Sequence, residues 1–251
     1  MSKTIVFYDI PSKLPINACS PNTWKARYAL NFKGLPYRTE WIEFPDIEAL
    51  YKRLGVSASA THWSDGVTPY YSLPLIHDLS TGAIVSDSAA IAEYLDVTYP
   101  DTPRLFPPGT QALHAAFTVA FHAQLLKAIT PLLVPAANAV LNPRSEVFFR
   151  KTREKAFGMT LEDMDPRGEC REKQWALVER DLGEVDKWIA KGDAFVTGNV
   201  PTFADITVCG WMLSFRIIFG EDSPEWRDLS TWHDGRWGRL VRSFEKYEVV
   251  V

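Results

Sequence analysis

The stretch that decides the fold lies at residues 71–78, which read YSLPLIHD, and it is followed at residues 84–91 by IVSDSAAI. The first part predicts a strand entered through Pro74, because proline cannot donate to a strand ladder and therefore occupies a strand's first position. The bond before a proline is also the peptide bond with a substantial cis population. The second part predicts a short strand and then a helix, with Asp87 and Ser88 at the helix start.

Together these two segments predict a pocket for a small zwitterionic peptide. A cis bond between Leu73 and Pro74 would expose the backbone N–H and C=O of Leu73 to a peptide-like ligand. The helix start that follows has serine hydroxyls and free backbone N–H groups, and such a start binds carboxylates.

Composition indicates an ordinary globular protein. The 251 residues are 46% hydrophobic and 23% charged, which suits one large domain or two modest ones. A formal net charge of −4 argues against nucleic acid or an anionic membrane as the main partner. We find no apolar run close to the roughly 20 residues of a membrane helix, and therefore expect no membrane partner.

The cysteines, the histidines and the N-terminus favour a reducing cytoplasmic setting without a metal. Cys19, Cys170 and Cys209 are odd in number and widely spaced, so they predict neither a disulfide framework nor a zinc site. The five histidines show no ligand spacing, and we expect no metal. The first residues enter a strand without an apolar signal core.

Two regions of different pattern are joined by a proline-rich segment. Before it, the sequence predicts strands and helices in a βαβ–α–ββα order, with Ser20 and a proline opening the first helix at about residues 21–32. Residues 100–110 hold four prolines and a glycine, which exclude regular structure. Beyond them the pattern is helical: a strong amphipathic helix at 112–128 that continues past two prolines with kinks, then helices at 144–157 and 171–190.

The motifs resemble those of the cytosolic glutathione transferases over nearly the whole chain. In that family a strand begins at a cis-proline, and an acidic residue followed by serine opens the next helix; Asp87 here is one methylene shorter than the usual glutamate. Thr202 and Asp205 form a capping box like the one that starts the family's buried C-terminal helix. Residues 18–30 resemble the fungal class A transferases, which are related to β-etherases acting on lignin-derived aryl ethers.

This resemblance implies a fold of two domains. We expect an α/β thioredoxin-like domain that binds glutathione at residues 1–99, a linker at 100–110 and an all-α domain at 111–251. Family members pair the first domain of one subunit with the helical domain of the other, so we also expect a homodimer.

The resemblance also implies the site residues. Leu73, Pro74, Asp87 and Ser88 would bind glutathione, and Ser20 would be the catalytic residue that stabilises its thiolate. A thiol with a pKa near 8.5 is mostly protonated at neutral pH, and a hydroxyl at a helix N-terminus lowers that pKa. Alternatives remain open at this point. Ser20 could serve only as a helix cap, with Asn22 or Thr23 in its place, and Cys19 could support a cysteine-type thiol transfer.

Three functions remain compatible with the sequence: a transferase that conjugates or cleaves hydrophobic aromatic compounds with glutathione, a non-catalytic ligandin for phenolic molecules, and a regulatory or structural protein that has kept the fold.

The sequence also predicts where an aromatic ligand would bind. The long loop at residues 55–72 would lie near glutathione with its aromatic residues Trp63, Tyr70 and Tyr71. Across the cleft we expect Phe117, Phe121 and Gln124, unless these three residues are simply part of the core. Lys25 and Arg27 are expected to be solvated helix residues.

Overall fold

The first half of the chain folds around a four-stranded mixed sheet. The structure is a computed structural model and describes residues 4–61 and 65–251. The sheet order is β2-β1-β5-β6, where β1 pairs in parallel with β2 and antiparallel with β5, and β5 pairs antiparallel with β6. The strands are β1 (Ile5–Asp9), β2 (Tyr37–Trp41), β3 (Ala60–Thr61), β4 (Pro69–Tyr70), β5 (Leu75–Asp78) and β6 (Ile84–Ser86). Strands β3 and β4 form a separate small hairpin within the long loop.

Three helices accompany this sheet, and a helical half follows. The first three are α1 (Pro21–Phe32), α2 (Ile47–Leu54), preceded by a 3₁₀ turn at Phe44–Asp46, and α3 (Ser88–Thr98). The later helices are α4 (Gln111–Val140), α5 (Pro143–Phe157), α6 (Leu161–Met164), α7 (Glu169–Trp188), α8 (Phe203–Phe219) and α9 (Pro224–Phe244), with a final 3₁₀ turn at Glu245–Tyr247. The expected fold class, a thioredoxin-like α/β half followed by an all-helical half, is confirmed.

Helix α1 is the packing centre between the two halves. Its residues 23–30 are all buried, because one side faces the sheet and another packs on α8. The two helices approach closely at Gly210, where an added Cβ would lie 2.9 Å from the Pro21 carbonyl oxygen and 3.0 Å from Cγ of Lys25. Only glycine allows this approach without a shift of α1 or α8.

The expectation that Lys25 and Arg27 are solvated is wrong. Arg27 is fully buried and forms an ion pair with the equally buried Asp9 at 2.7 Å between Nη2 and Oδ2. The side chain of Lys25 points into the cleft described below and is only 5% exposed. The two errors have different causes: Arg27 faces the sheet, where it also donates to Tyr37 and Thr39 of β2, whereas Lys25 is packed against Gly210 of α8, far away in sequence.

Helix α4 continues through both of its prolines, Pro131 and Pro135, as a single 30-residue element. By length and composition it is the one helix among residues 4–61 and 65–251 that could cross a membrane, which the sequence expectation overlooked. Its buried side chains, including Phe121 and Leu125, belong to the main hydrophobic core. Here the helix packs against α7 and α8.

Polar anchors fix the segments on either side of α4. Asp96 near the end of α3 forms an ion pair with Lys33 and accepts the backbone N–H groups of Leu105 and Phe106, which orders the proline-rich segment. At the start of α8 the predicted capping box is present, and Asp205 accepts the backbone N–H of Thr202 at 2.8 Å. Burial raises the pKa of the Asp205 carboxyl.

Candidate functional site

A single cleft between the sheet half and the helical half brings the predicted site residues together. Its volume is about 600 Å³. All five residues predicted to bind glutathione or to activate its sulfur line it: Ser20, Leu73, Pro74, Asp87 and Ser88. They come from the start of α1, the turn before β5 and the start of α3, which are separate in sequence and adjacent only in the folded chain.

Ser20 occupies the N-cap position of α1 and its hydroxyl makes no capping hydrogen bond. Its carbonyl accepts the first helical bond from Trp24 N–H at 3.0 Å, so the backbone alone completes the helix start. The hydroxyl of Thr23 donates to the same carbonyl, and Thr23 is fully buried outside the cleft. Asn22 lines the cleft and is exposed. Ser20 is thus a hydroxyl at a helix N-terminus that remains available to a ligand.

Cys19 is a poor nucleophile in this position. Its side chain is 4% exposed and packs in the smaller core cluster around Ile10 and Tyr51. Burial, reinforced by the charge of Asp9, raises the pKa of the Cys19 thiol to about 12. Because the thiolate is the reactive form of cysteine, this environment disfavours thiol-transfer chemistry.

The bond between Leu73 and Pro74 is cis, as its place before the strand predicts. The Pro74 carbonyl accepts the Asp87 N–H at 3.3 Å, which ties this turn to the start of α3. In the part of the chain that the structure describes, the backbone N–H and C=O of Leu73 have no hydrogen-bond partner. Leu73 therefore presents one donor and one acceptor at the wall of the cleft.

Asp87 caps α3, and one of its carboxylate oxygens has no hydrogen-bond partner among residues 4–61 and 65–251. Its Oδ1 accepts the backbone N–H groups of Ala89 at 2.8 Å and Ala90 at 3.2 Å. Its φ of 76° lies in the left-handed region, which orients the side chain over the helix start. Asp87 is exposed, whereas the adjacent Ser88 is 5% exposed, so a negative charge and a serine hydroxyl stand side by side at this edge of the cleft.

Sequence reasoning missed a group of basic and aromatic residues beside Asp87. Lys25, His122 and Trp211 all line the cleft. We call these three residues with Asp87 and Ser88 the polar end. Burial lowers the pKa of Lys25 to about 8, although the charge of Asp87 opposes this. Burial and then the charge of Lys25 lower the pKa of His122 to about 4, so its imidazole is neutral at pH 7.

The other end of the cleft is apolar and aromatic. We call its lining from the 3₁₀ turn, the second half of α4 and α5 the apolar end: Phe44, Val134, Ala137, Phe148 and Phe149. The rings of Phe44 and Phe149 lie 5.3 Å apart between centroids, and the guanidinium of Arg153 lies 4.5 Å from the Phe149 centroid. Phe148 is 40% exposed.

The prediction that Phe117, Phe121 and Gln124 face the cleft is wrong. Phe121 is fully buried in the main core and stacks on Phe117, which in turn packs edge-on against Trp188. The amide of Gln124 donates to Asp181 on α7. These side chains lie on the face of α4 that meets α7. They are therefore part of the core, which was the alternative interpretation of the sequence. The loop residues Tyr70 and Tyr71 do line the cleft, and Trp63 lies outside the described residues.

Comparison with known proteins identifies the family of the chain. The family profile described as Glutathione S-transferase, N-terminal domain matches residues 19–98, and the one described as Glutathione S-transferase, C-terminal domain matches residues 112–247. The chain belongs to the cytosolic glutathione transferase superfamily. A curated relative, the glutathione S-transferase-like protein ustS of Aspergillus flavus, is 31% identical over 249 residues, which is 93% of this chain and 87% of the relative.

Solved structures of fungal transferases match along the whole length. A glutathione S-transferase of Ceriporiopsis subvermispora in complex with glutathione is 50% identical, with a TM-score of 0.94 and 99% of each chain covered. Glutathione transferase GSTFuA3 from Phanerochaete chrysosporium is 42% identical, with a TM-score of 0.92 and coverage of 99% of this chain and 98% of that one. The sequence-based resemblance to fungal class A transferases is confirmed.

Proposed function

We propose that this transferase uses Ser20 to hold glutathione as a thiolate for attack on hydrophobic aromatic electrophiles. The observation that carries the proposal is the free Ser20 hydroxyl at the start of α1, inside the cleft that also holds Leu73, Asp87 and Ser88. The hydroxyl donates a hydrogen bond to sulfur, and the helix dipole favours the negative charge there. Fungal transferases of the same fold in complex with glutathione support the choice of co-substrate.

Glutathione lies with its cysteinyl backbone along Leu73 and its γ-glutamyl end at the polar end. The free N–H and C=O of Leu73 form a two-bond ladder with the cysteinyl residue, as in strand pairing. The thiol proton leaves to solvent, the sulfur forms a bond to the electrophilic carbon, and the leaving group departs with the electrons of its own bond. For an aryl ether that leaving group is a phenolate.

The electrophile occupies the apolar end. Flat aromatic compounds suit a wall of Phe44, Phe148 and Phe149, because offset and edge-on ring contacts add to the burial of apolar area. A ligandin, which stores phenolic compounds without reaction, is the second candidate. A cleft of this size suits a ligandin as well as it suits a transferase. The two differ only in turnover.

The deciding experiment follows the thiolate of bound glutathione by its ultraviolet absorbance as a function of pH. In the wild type we expect a thiol pKa well below that of free glutathione. Ser20→Ala is expected to raise the pKa by one unit or more, about 1.4 kcal/mol, and to lower turnover of an aryl halide about tenfold. Cys19→Ala is the matched control and is expected to change neither value. Loss of activity in Cys19→Ala with full activity in Ser20→Ala would establish the cysteine-type mechanism instead.

The aromatic site is tested separately by displacement of a fluorescent apolar dye. Phenolic ligands are expected to displace the dye at micromolar concentration, and Phe149→Ala is expected to weaken them about tenfold or more, since a buried ring contact is lost. The matched control is Phe157→Ala, a partly exposed phenylalanine at the far end of the same helix. Unchanged binding in Phe149→Ala places the aromatic ligand elsewhere.

We also propose a cytoplasmic homodimer. Helix α4 exposes Leu113 and Val119, at 68% and 69%, and α3 exposes Val97 at 81%. These apolar side chains lie on both halves of the chain, which is what a pairing of one subunit's first half with its partner's helical half requires. The three cysteines are free, in keeping with a reducing compartment.

A further inference from the structure

The polar end of the cleft contains a buried lysine on which the charge of Asp87 acts, but which has no direct hydrogen bond or ion pair within the described chain. Lys25 is 5% exposed and lines the cleft, and its Nζ has no hydrogen bond or ion pair with any described residue. The other buried cations of the described chain, Arg27 and Lys33, both have a carboxylate at 2.7 Å. Buried charges in proteins are paired, because an isolated charge in a low-dielectric site is strongly unfavourable. The Nζ atom of Lys25 is not among the fully buried unpaired atoms of the described residues, so it opens into the cleft, where an anionic group of a ligand can reach it.

His122 supplies a second donor at the same place. The indole N–H of Trp211 donates to Nε2 of His122 at 3.2 Å, and an indole nitrogen can only donate. The neutral imidazole must consequently carry its proton on Nδ1. That N–H has no partner among the described residues, so Trp211 fixes His122 in the tautomer that offers a donor beside Lys25.

The chemistry around these donors matches an amino-acid zwitterion. Asp87, with one carboxylate oxygen free, is the acceptor for an ammonium group, and Ser88 offers a hydroxyl and the start of a helix. In glutathione only the γ-glutamyl residue carries an ammonium and a carboxylate on one carbon. We propose that Lys25 and His122 bind the α-carboxylate of the γ-glutamyl residue while Asp87 binds its ammonium. This inference rests on the proposed glutathione site and adds two binding residues and one positioning residue, Trp211.

Two glutathione analogues separate this role from a structural one. 4-Aminobutyryl-cysteinylglycine keeps the ammonium but lacks the γ-glutamyl carboxylate, and the glycyl ethyl ester of glutathione keeps that carboxylate but lacks the other one. In the wild type we expect calorimetry to show about 10- to 100-fold weaker binding of the first analogue than of glutathione, since charge-assisted hydrogen bonds are lost. The quantity to compare is the ratio of the dissociation constant of this first analogue to that of glutathione. In Lys25→Met this ratio is expected to fall to about threefold or less, which isolates the coupling between Lys25 and the γ-glutamyl carboxylate.

The controls decide between a local and a general effect. The ratio of glutathione to the glycyl ester is expected to be the same in the wild type and Lys25→Met. Lys173→Met removes an exposed lysine of α7 and is expected to bind all three ligands like the wild type. His122→Leu provides an independent variant if Lys25→Met does not fold, and Trp211→Phe is expected to reduce the ratio partially, because it frees the tautomer of His122.

Two results would overturn the proposal, and they are distinguishable. If the wild type binds glutathione but Lys25→Met and His122→Leu keep the full preference for the γ-glutamyl carboxylate, these residues do not bind it, and the proposed transferase function stands. If the wild type binds neither glutathione nor the analogues, the glutathione site itself is wrong and this inference fails with it.

Discussion

Replacement of Lys25 by methionine is expected to stabilise the unliganded protein. Methionine has a similar length, fits the same space and carries no charge. In the folded protein burial lowers the pKa of Lys25 from its ordinary value of 10.5 to about 8. Each pKa unit corresponds to about 1.4 kcal/mol, so the buried ammonium destabilises the folded state at pH 7 by about 3 kcal/mol. Lys25→Met removes that penalty and is expected to raise the free energy of unfolding by about 1–3 kcal/mol.

The sign of the pH dependence follows from the same pKa. Below pH 8 Lys25 is charged in both the folded and the unfolded protein, and the full penalty applies. Between about pH 8 and 10.5 the folded protein has released the proton and the unfolded chain has not, so the unfolded state binds more protons. Stability of the wild type therefore rises with pH in this window relative to Lys25→Met. The advantage of the variant is largest at neutral pH and shrinks towards pH 10.

The assay is urea denaturation without ligand, followed by circular dichroism at about pH 7 and pH 9.5, with Lys173→Met as the exposed control expected to match the wild type. Saturating glutathione is expected to reduce or reverse the order of stability at pH 7, because the ligand stabilises the protein that binds it more tightly. The reasoning would be refuted if Lys25→Met were less stable than the wild type at pH 7. It would also be refuted if the variant exceeded the wild type in free energy of unfolding by the same amount at both pH values.

Three further predictions address other parts of the molecule. Asp87→Ala is expected to weaken glutathione binding by about 1.5–3 kcal/mol in a calorimetric titration, through loss of the charge-assisted bond to the ammonium; unchanged affinity would contradict this role. Arg27→Met leaves the buried Asp9 carboxylate without its ion-pair partner and is expected to reduce the free energy of unfolding by about 3–5 kcal/mol in a denaturant titration. A free energy of unfolding equal to that of the wild type would show that water reaches this pair. Val119→Glu places a charge on the exposed apolar face of α4 and is expected to shift a dimer to monomers in sedimentation velocity; a wild type that is already monomeric at micromolar concentration would contradict the dimer.

Local sequence signals were sufficient for the main sheet and its helices, but they did not predict the β3–β4 hairpin within the long loop. The cis-proline turn, the start of α1 at Ser20 and the order of strands and helices each depend on a few adjacent residues, such as Pro74 at a strand entrance or Asp87 before a helix. These are backbone effects: a missing donor, a preset φ and a side-chain cap act within four residues of their source. Long-range packing is not needed to read them.

The errors arose where a distant element decides the environment. Lys25 looks like a solvated residue until α8 packs on it, and Arg27 until the sheet covers it. The signal available in advance was indirect, because the apolar side chains between them leave α1 without a consistently polar face. In α4, helical spacing alone could not tell which face meets α7 and which meets the cleft. The helix turns its phenylalanines to α7 and His122 to the cleft.

The two ends of the cleft are separate enough to be altered independently. His122 at the polar end and Ala137 at the apolar end lie on the same helix, and fifteen residues of α-helix span about 22 Å. Ser20 contributes the sulfur-activating hydroxyl from the start of α1, the helix that also carries Lys25. Substitutions at Lys25 should therefore change the affinity for glutathione, while substitutions at Phe149 change the affinity for the aromatic ligand. Because sulfur and electrophile must meet near Ser20, only changes there are expected to alter the chemical step itself.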